Sequence, residues 1–173
     1  MARIDRILRE MTDFARRRSA ESTDVPVAIA VDDALRMIRH DPRARAVQFK
    51  VDASATLPHV HVVEDHLVMV LVNLVLNALD AMPQGGELTI AARSIGPHVR
   101  ISVSDTGCGM DEVTLRRSTE PLYTTKPGRG TGLGLSIAQD VLRAARGSLD
   151  IDSAPGRGTT VHLTFPIMGA IHV

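Results

Sequence analysis

Residues 64–82, "EDHLVMVLVNLVLNALDAM", read as one long helix that is apolar nearly all round. Such a helix is a buried element, so the rest of the chain has to supply the layers that cover it. Pro83 and the glycine pair 85–86 end it. Three polar residues interrupt it, Asn73, Asn77 and Asp80, spaced i, i+4 and i+7 and therefore on one face. An unpaired buried polar group costs about 1–3 kcal/mol. The stripe therefore either lines a polar cavity or bonds neighbouring backbone, and the helix alone leaves both open. Amide and carboxylate oxygens are also the hard ligands that Mg²⁺ uses beside phosphate oxygens.

The remaining pattern mixes strands and helices. "ELTIAARSI" and "HVRISVSD" alternate as strands joined by a tight Gly-Pro turn, and "SLDIDSA" and "TTVHLTFP" form a closing hairpin around "PGRG". "VQFKVD" and "HVHVV" read as further strands. "VPVAIAV" reads as a short strand, followed by a helix through "DALRMIRHD" that Asp32 caps and Pro42 breaks. "LGLSIAQDVLRAA" is a helix ending near Gly147, and residues 111–130 are a long polar loop of the kind that carries function. The expected fold is an α/β two-layer sandwich: a mixed, mostly antiparallel sheet with helices on one face. At the N-terminus, Ile4, Ile7, Leu8, Met11 and Phe14 form the apolar stripe of an amphipathic helix over residues 1–18, which needs a partner and points to self-association through residues 4–14. Residues 19–26 read as a linker and 27–168 as the main domain.

Composition narrows the function. The 173 residues carry 20 basic and 20 acidic side chains, so the basic field of a duplex-binding protein is missing. Aromatics are 2 % with no Trp, which leaves no base-stacking platform, and no nucleic-acid partner is expected. The basic run at 15–18 reads as a solvated helix face. Cys108 is the only cysteine; it cannot form an internal disulfide and lacks flanking bases that would activate it. No stretch reaches the ~18 apolar residues of a membrane span and no signal-peptide core opens the chain. A cytoplasmic chain without membrane contact is expected, whether or not a longer parent is membrane-anchored.

Three further motifs bear on chemistry. In "SDTGCGM", Asp105 stands at a strand end, where it can accept a hydrogen bond from an exocyclic amine, and Gly107 and Gly109 let a flat ring approach the backbone. The same letters also make ordinary turns. "PLYTTKPGRGTGLGLS" carries glycines at 128, 130, 132 and 134, with Lys126 ahead of them. It lacks the Gly-Lys-Ser/Thr ending of a P-loop and the spacing of a dinucleotide fingerprint. It runs instead into a helix N-terminus at 133–136, where free N–H groups favour anions; a plain flexible hinge is the competing reading. "PGRGTT", 155–160, is by itself a hairpin turn.

In this order and spacing the motifs resemble the ATP-binding catalytic domain of sensor histidine kinases, in the superfamily shared with DNA gyrase B, MutL and a class of heat-shock chaperone. "NLVLNALDAM" resembles the N box, "DTGCGM" the G1 box, "EPLYTTK" the F box, "GTGLGLS" the G2 box and "GRGTT" the last glycine box; the wording is closest to the nitrogen-regulation and transport-sensor type. The resemblance spans residues 25–166 and implies three helices against a mixed sheet, with a lid over about 111–131. It implies that Asp105 holds the adenine amine, with Thr159 or Thr160 assisting through water, and that Gly107, Gly109 and Met110 shape the pocket. Asn77 would hold Mg²⁺, with Asn73 beside it and Asp80 one turn on. Tyr123, Thr124, Thr125 and Lys126 would approach the nucleotide from the lid, and Gly130, Thr131, Gly132, Leu133, Gly134 and Leu135 would border its phosphates.

One position separates mechanisms. In the hydrolysing relatives a glutamate stands four residues before the Mg²⁺ asparagine and activates water; here that residue is Asn73, whose amide is no general base. The resemblance therefore implies a kinase, with Asn73, Asn77 and Lys126 as its catalytic set, rather than an ATPase. The histidine acceptor would lie on a dimerisation domain outside this chain, residues 1–18 being the end of its hairpin, so the chain alone would not autophosphorylate. A response regulator would follow. His66 reads as a surface residue at a helix start, and His59 and His61 alternate on a strand without a third metal ligand nearby. An ATP-sensing module without phosphotransfer is the alternative; a serine kinase of the anti-sigma type is disfavoured by the hairpin remnant.

Overall fold

The computed structural model describes residues 21–126 and 130–167. The helix expected over 1–18, its basic run and the self-association proposed for 4–14 lie outside the described residues. In chain order the elements are β1 (Thr23–Val25), α1 (Val27–Ile38), a 3₁₀ turn (Pro42–Ala46), β2 (Val47–Ala53), β3 (Val60–Val62), α2 (Glu64–Ala81), β4 (Gly86–Ile95), β5 (His98–Asp105), α3 (Glu112–Arg117), α4 (Gly134–Ala144), β6 (Ser148–Ser153) and β7 (Thr159–Pro166).

Five strands form one sheet in the order β2-β4-β5-β7-β6, with β2 parallel to β4 and the other pairs antiparallel. Strand periodicity divides its two faces. Leu88, Ile90 and Ala92, Val99, Ile101 and Val103, and Val161, Leu163 and Phe165 are buried beneath the helices. The opposite face is polar: Ser102 Oγ lies 2.8 Å from His162 Nδ1, and Arg93 pairs with Asp52. Helix α1 packs on α2 and α2 on α4, so α2 is covered from both flanks and from the sheet, as its nearly uniform apolar character requires. Glu64 and Asp65 in its first turn suit the helix dipole.

Four expectations need correction. Residues 27–31 are helical rather than a strand, and Asp32 is not a cap. Val27, Ala30, Val31, Ala34 and Ile38 form the buried stripe of α1, which begins after Pro26, and Asp32 pairs with Arg36 one turn on at 2.5 Å. The β-branched run resembled a strand, but burial against α2 overrides that weak propensity. Residues 19–26 are not wholly linker: β1 pairs antiparallel with β3, Val25 is buried, and Asp24 Oδ1 meets His61 Nδ1 at 2.9 Å. The polar run after 110 contains the short α3, capped by Asp111, whose carboxylate accepts from Thr114 N–H at 2.7 Å. His66 is buried, 7 % exposed, because its position on α2 faces inward.

Candidate functional site

A cavity of about 650 Å³ opens between α2, the turn after β5, the segment leading into α4 and the start of β7. Asn73, Asn77 and Asp80 all line it, so the polar stripe of α2 borders a cavity rather than merely bonding backbone. Met110 and Gly109 line it from the turn after β5. Tyr123, Thr124, Thr125 and Lys126 line it from the segment after α3, and Gly130, Thr131, Gly132, Gly134 and Leu135 from the approach to α4. Arg117 lies over the Tyr123 ring, 4.3 Å from its centroid, and fixes the ring at the rim.

Asp105 ends β5 and is paired in register with Thr159 of β7, so both side chains fall on the helix-facing side and reach the cavity. The N–H of Gly107 donates to Asp105 Oδ1 at 2.8 Å. Burial pushes the Asp105 carboxyl above its ordinary value, against the opposing pull of the Gly107 and Thr159 N–H groups and the Lys126 charge. The turn around it is set by close backbone contacts. Gly158 has φ +75°, and a Cβ there would sit 1.9 Å from the carbonyl oxygen of Asp105. Gly109 has φ +66°, and its Cβ would sit 2.0 Å from that of Ala154. The β6–β7 hairpin turn is thus pressed against the Asp105 turn, which ties "PGRGTT" to the site.

Helix α4 starts at Gly134 with no side-chain cap on its first turn. Its leading N–H groups therefore lie at the cavity without an intrahelical partner, a ready anion site. The carbonyl oxygen of Gly132 accepts from Leu122 N–H at 2.8 Å, joining the two ends of the intervening segment. Asn73 packs on Gly134: a Cβ there would lie 2.1 Å from Asn73 Nδ2 and 2.3 Å from Oδ1. Asn73 Nδ2 is buried without a hydrogen-bond partner.

At the rim, Lys126 Nζ lies 2.9 Å from Asp80 Oδ2, and Arg43 Nη1 meets Asp80 Oδ1. Arg43 Nε and Nη2 are held by Asp41 at 2.9 and 2.6 Å. That hydrogen-bonded pairing lowers the Asp41 carboxyl to about 2 and raises Arg43.

Three expected residues do not line the cavity. Thr160 is one step out of phase with Thr159; it faces the polar side of the sheet and donates to Ser104 Oγ at 3.0 Å. Gly107 packs on the end of α2, where a Cβ would lie 2.6 Å from the carbonyl oxygen of Ala81. Leu133 is buried beneath the start of α4. Conversely Arg43, Cys108, Thr114 and Ser118 line the cavity and were missed. Arg43 comes from the 3₁₀ turn, 37 positions from Asp80, with no motif to mark it.

A mixed sheet under helices, with an asparagine-bearing central helix facing a glycine-bordered cavity, defines the ATPase-kinase class of sandwich. The chain belongs to the family described as histidine kinase-, DNA gyrase B- and HSP90-like ATPases, whose model matches residues 62–168. It is 31 % identical to sporulation kinase E of Bacillus subtilis over 168 residues, covering 96 % of this chain and 23 % of that protein. It is also 31 % identical to the sensor histidine kinase ZraS of Escherichia coli, over 95 % of this chain and 35 % of ZraS. The chain therefore spans about a quarter to a third of these relatives. Among solved structures, full-length ShkA in complex with AMPPNP superimposes with a TM-score of 0.77 at 25 % identity, over 95 % of this chain and 36 % of that one. Among the described residues, no helix is long and apolar enough to cross a membrane.

Proposed function

We propose that the chain is the ATP-binding catalytic domain of a two-component sensor histidine kinase of the nitrogen-regulation and transport-sensor type, and that it passes the γ-phosphoryl group of ATP to a histidine on a dimerisation domain. The observation that carries this reading is that one cavity is lined by Asp105, Asn77, Lys126 and Gly134 at the start of α4. Asp105, with Thr159 beside it, accepts from the adenine amine. The N–H groups at the start of α4 hold phosphate oxygens, and Lys126 neutralises their charge. Among the described residues no three His, Cys, Asp or Glu side chains cluster to hold an ion alone. The donor set fits Mg²⁺, which takes most of its ligands from phosphate and water, with Asn77 offering one amide oxygen. When bound, that ion offsets the phosphate charge.

Asn73 lines the same cavity but cannot take a proton from water, so attack is left to an incoming imidazole; the domain's share is positioning and charge neutralisation. The catalytic unit is the expected 27–168 extended to include β1, which is paired with β3, and a response regulator is the downstream partner. Mixing the chain with Mg-ATP and a cognate dimerisation hairpin yields an acid-labile phosphoprotein on the hairpin. ATP binding without label on any partner would refute the transfer and leave an ATP-sensing module.

A further inference from the structure

Two cations from distant parts of the chain converge on one carboxylate at the cavity rim. Asp80 receives Lys126 through Oδ2 at 2.9 Å and Arg43 through Oδ1. All three side chains line the cavity and are about one-third to two-fifths exposed, at 30 %, 32 % and 43 %. Ion pairs this wet contribute little and exchange readily. Lysine and arginine separated by a single anion is also the arrangement with which proteins bind phosphate.

Arg43 is built for such an exchange. Two of its guanidinium nitrogens are committed to Asp41, which is itself fixed as the N-cap of the 3₁₀ turn by accepting from Arg43 N–H at 2.9 Å. The turn in its own right is pressed on the connection from α2 to β4: a Cβ at Gly85, φ +87°, would lie 2.4 Å from the carbonyl oxygen of Ala46. The guanidinium plane therefore stays in place whichever anion its remaining nitrogen faces. Only Nη1 turns to Asp80, and it is the nitrogen free to change partner.

We propose that Arg43 recognises the phosphate chain of the nucleotide, and that Asp80 is its anionic place-holder, surrendering Arg43 and Lys126 to that chain when nucleotide binds. The proposal rests on the ATP-binding reading above and adds to it a phosphate contact from outside the asparagine and glycine motifs. It also assigns Asp80 a cost: its carboxylate competes with phosphate for both cations and repels it. Discrimination between nucleotides and nucleosides is then set in part by one side chain of the 3₁₀ turn.

The test is calorimetric titration of the chain with ATP, ADP and adenosine, with Mg²⁺ present, for the parent and for Arg43→Gln, Arg43→Lys and Asp80→Asn. Arg43→Gln weakens ATP and ADP by about tenfold, the effect of one lost charge-assisted contact, and leaves adenosine unchanged. Arg43→Lys, which keeps the charge and loses the fork, falls between. Asp80→Asn tightens ATP by several-fold. Equal ATP affinity in parent and Arg43→Gln overturns the proposal while leaving the ATP-binding reading intact. An equal loss for ATP and adenosine also overturns it, since Arg43 would then only hold the turn in place, and so does weaker ATP binding by Asp80→Asn, the variant that keeps Arg43. Failure of the parent itself to bind ATP would strike the underlying reading, and the proposal with it.

Discussion

The contact between Asn73 and Gly134 predicts a specific and reversible defect. In Gly134→Ala the new Cβ would lie 2.1, 2.3 and 2.5 Å from Nδ2, Oδ1 and Cγ of Asn73, so the whole amide has to move, not only its tip. Its Nδ2 is already buried, which leaves it little room. Overpacking of this kind costs about 1–3 kcal/mol. Replacing glycine in a helical conformation returns about 0.4–1 kcal/mol through the unfolded state. Contacts this short with the whole amide put the cost at about 2–3 kcal/mol, so the net loss is about 1–2.6 kcal/mol, read as a lower urea midpoint with unchanged slope and a fall in melting temperature of about 2–4 °C per kcal/mol. Asn73→Ala removes the obstacle and sacrifices no Nδ2 hydrogen bond. The double variant Asn73→Ala/Gly134→Ala should therefore be more stable than the two single losses add up to, with a coupling of about 1 kcal/mol or more. A Gly134→Ala chain as stable as the parent would refute the reasoning. So would a double variant whose loss is the plain sum, because the strain would then lie elsewhere.

Two further outcomes follow from the turn around Asp105. Burial holds its carboxyl above the value of 3.8 that it has when exposed, so the ionised form costs stability at neutral pH, and that cost fades as pH falls through the raised folded value. Asp105→Asn is accordingly at least as stable as the parent at pH 7 in a urea titration, loses the parent's gain on acidification, and loses ATP binding; a clear destabilisation at neutral pH would contradict the assignment. Gly158 and Gly156 both have positive φ, +75° and +72°, but a Cβ at Gly158 meets backbone at 1.9 Å while one at Gly156 meets nothing within 4 Å. Gly156→Ala should cost about 1–2 kcal/mol, the strain of a left-handed residue alone, and Gly158→Ala several more; equal midpoints for the two would show that the hairpin is not held against Asp105.

The elements legible in the sequence were those whose burial pattern matches their period. The β4–β5 and β6–β7 hairpins alternate cleanly, and α2 is long enough to be unmistakable. The second half of α1 was legible in "DALRMIRHD", but its start was not, because "VPVAIAV" satisfies both a strand and a helix stripe, and only packing on α2 decides. The pairing of Thr23–Val25 with β3 was hidden by the polar residues before it. Around the cavity, most of the motif residues could be picked out because chemistry and local spacing coincide, Gly107, Leu133 and Thr160 excepted. Arg43 was not, since its place at the rim depends on how the 3₁₀ turn meets α2. Choosing between Thr159 and Thr160 needed the β5–β7 register, which places Thr159 opposite Asp105.

That register has a consequence for how such a chain can change length. Because alternate positions in a strand face opposite ways, removing one residue from β5 ahead of Asp105, with the β5–β7 pairing kept, would rotate the carboxylate out to the polar side, beside the layer that holds Ser102 and His162. Removing two would restore its direction and merely shift it by one pair. The orientation of the site is thus a matter of parity: with the pairing kept, a single-residue insertion or deletion in β5 ahead of Asp105 turns its carboxylate away and a paired one only displaces it, so an odd step has to be absorbed by a bulge.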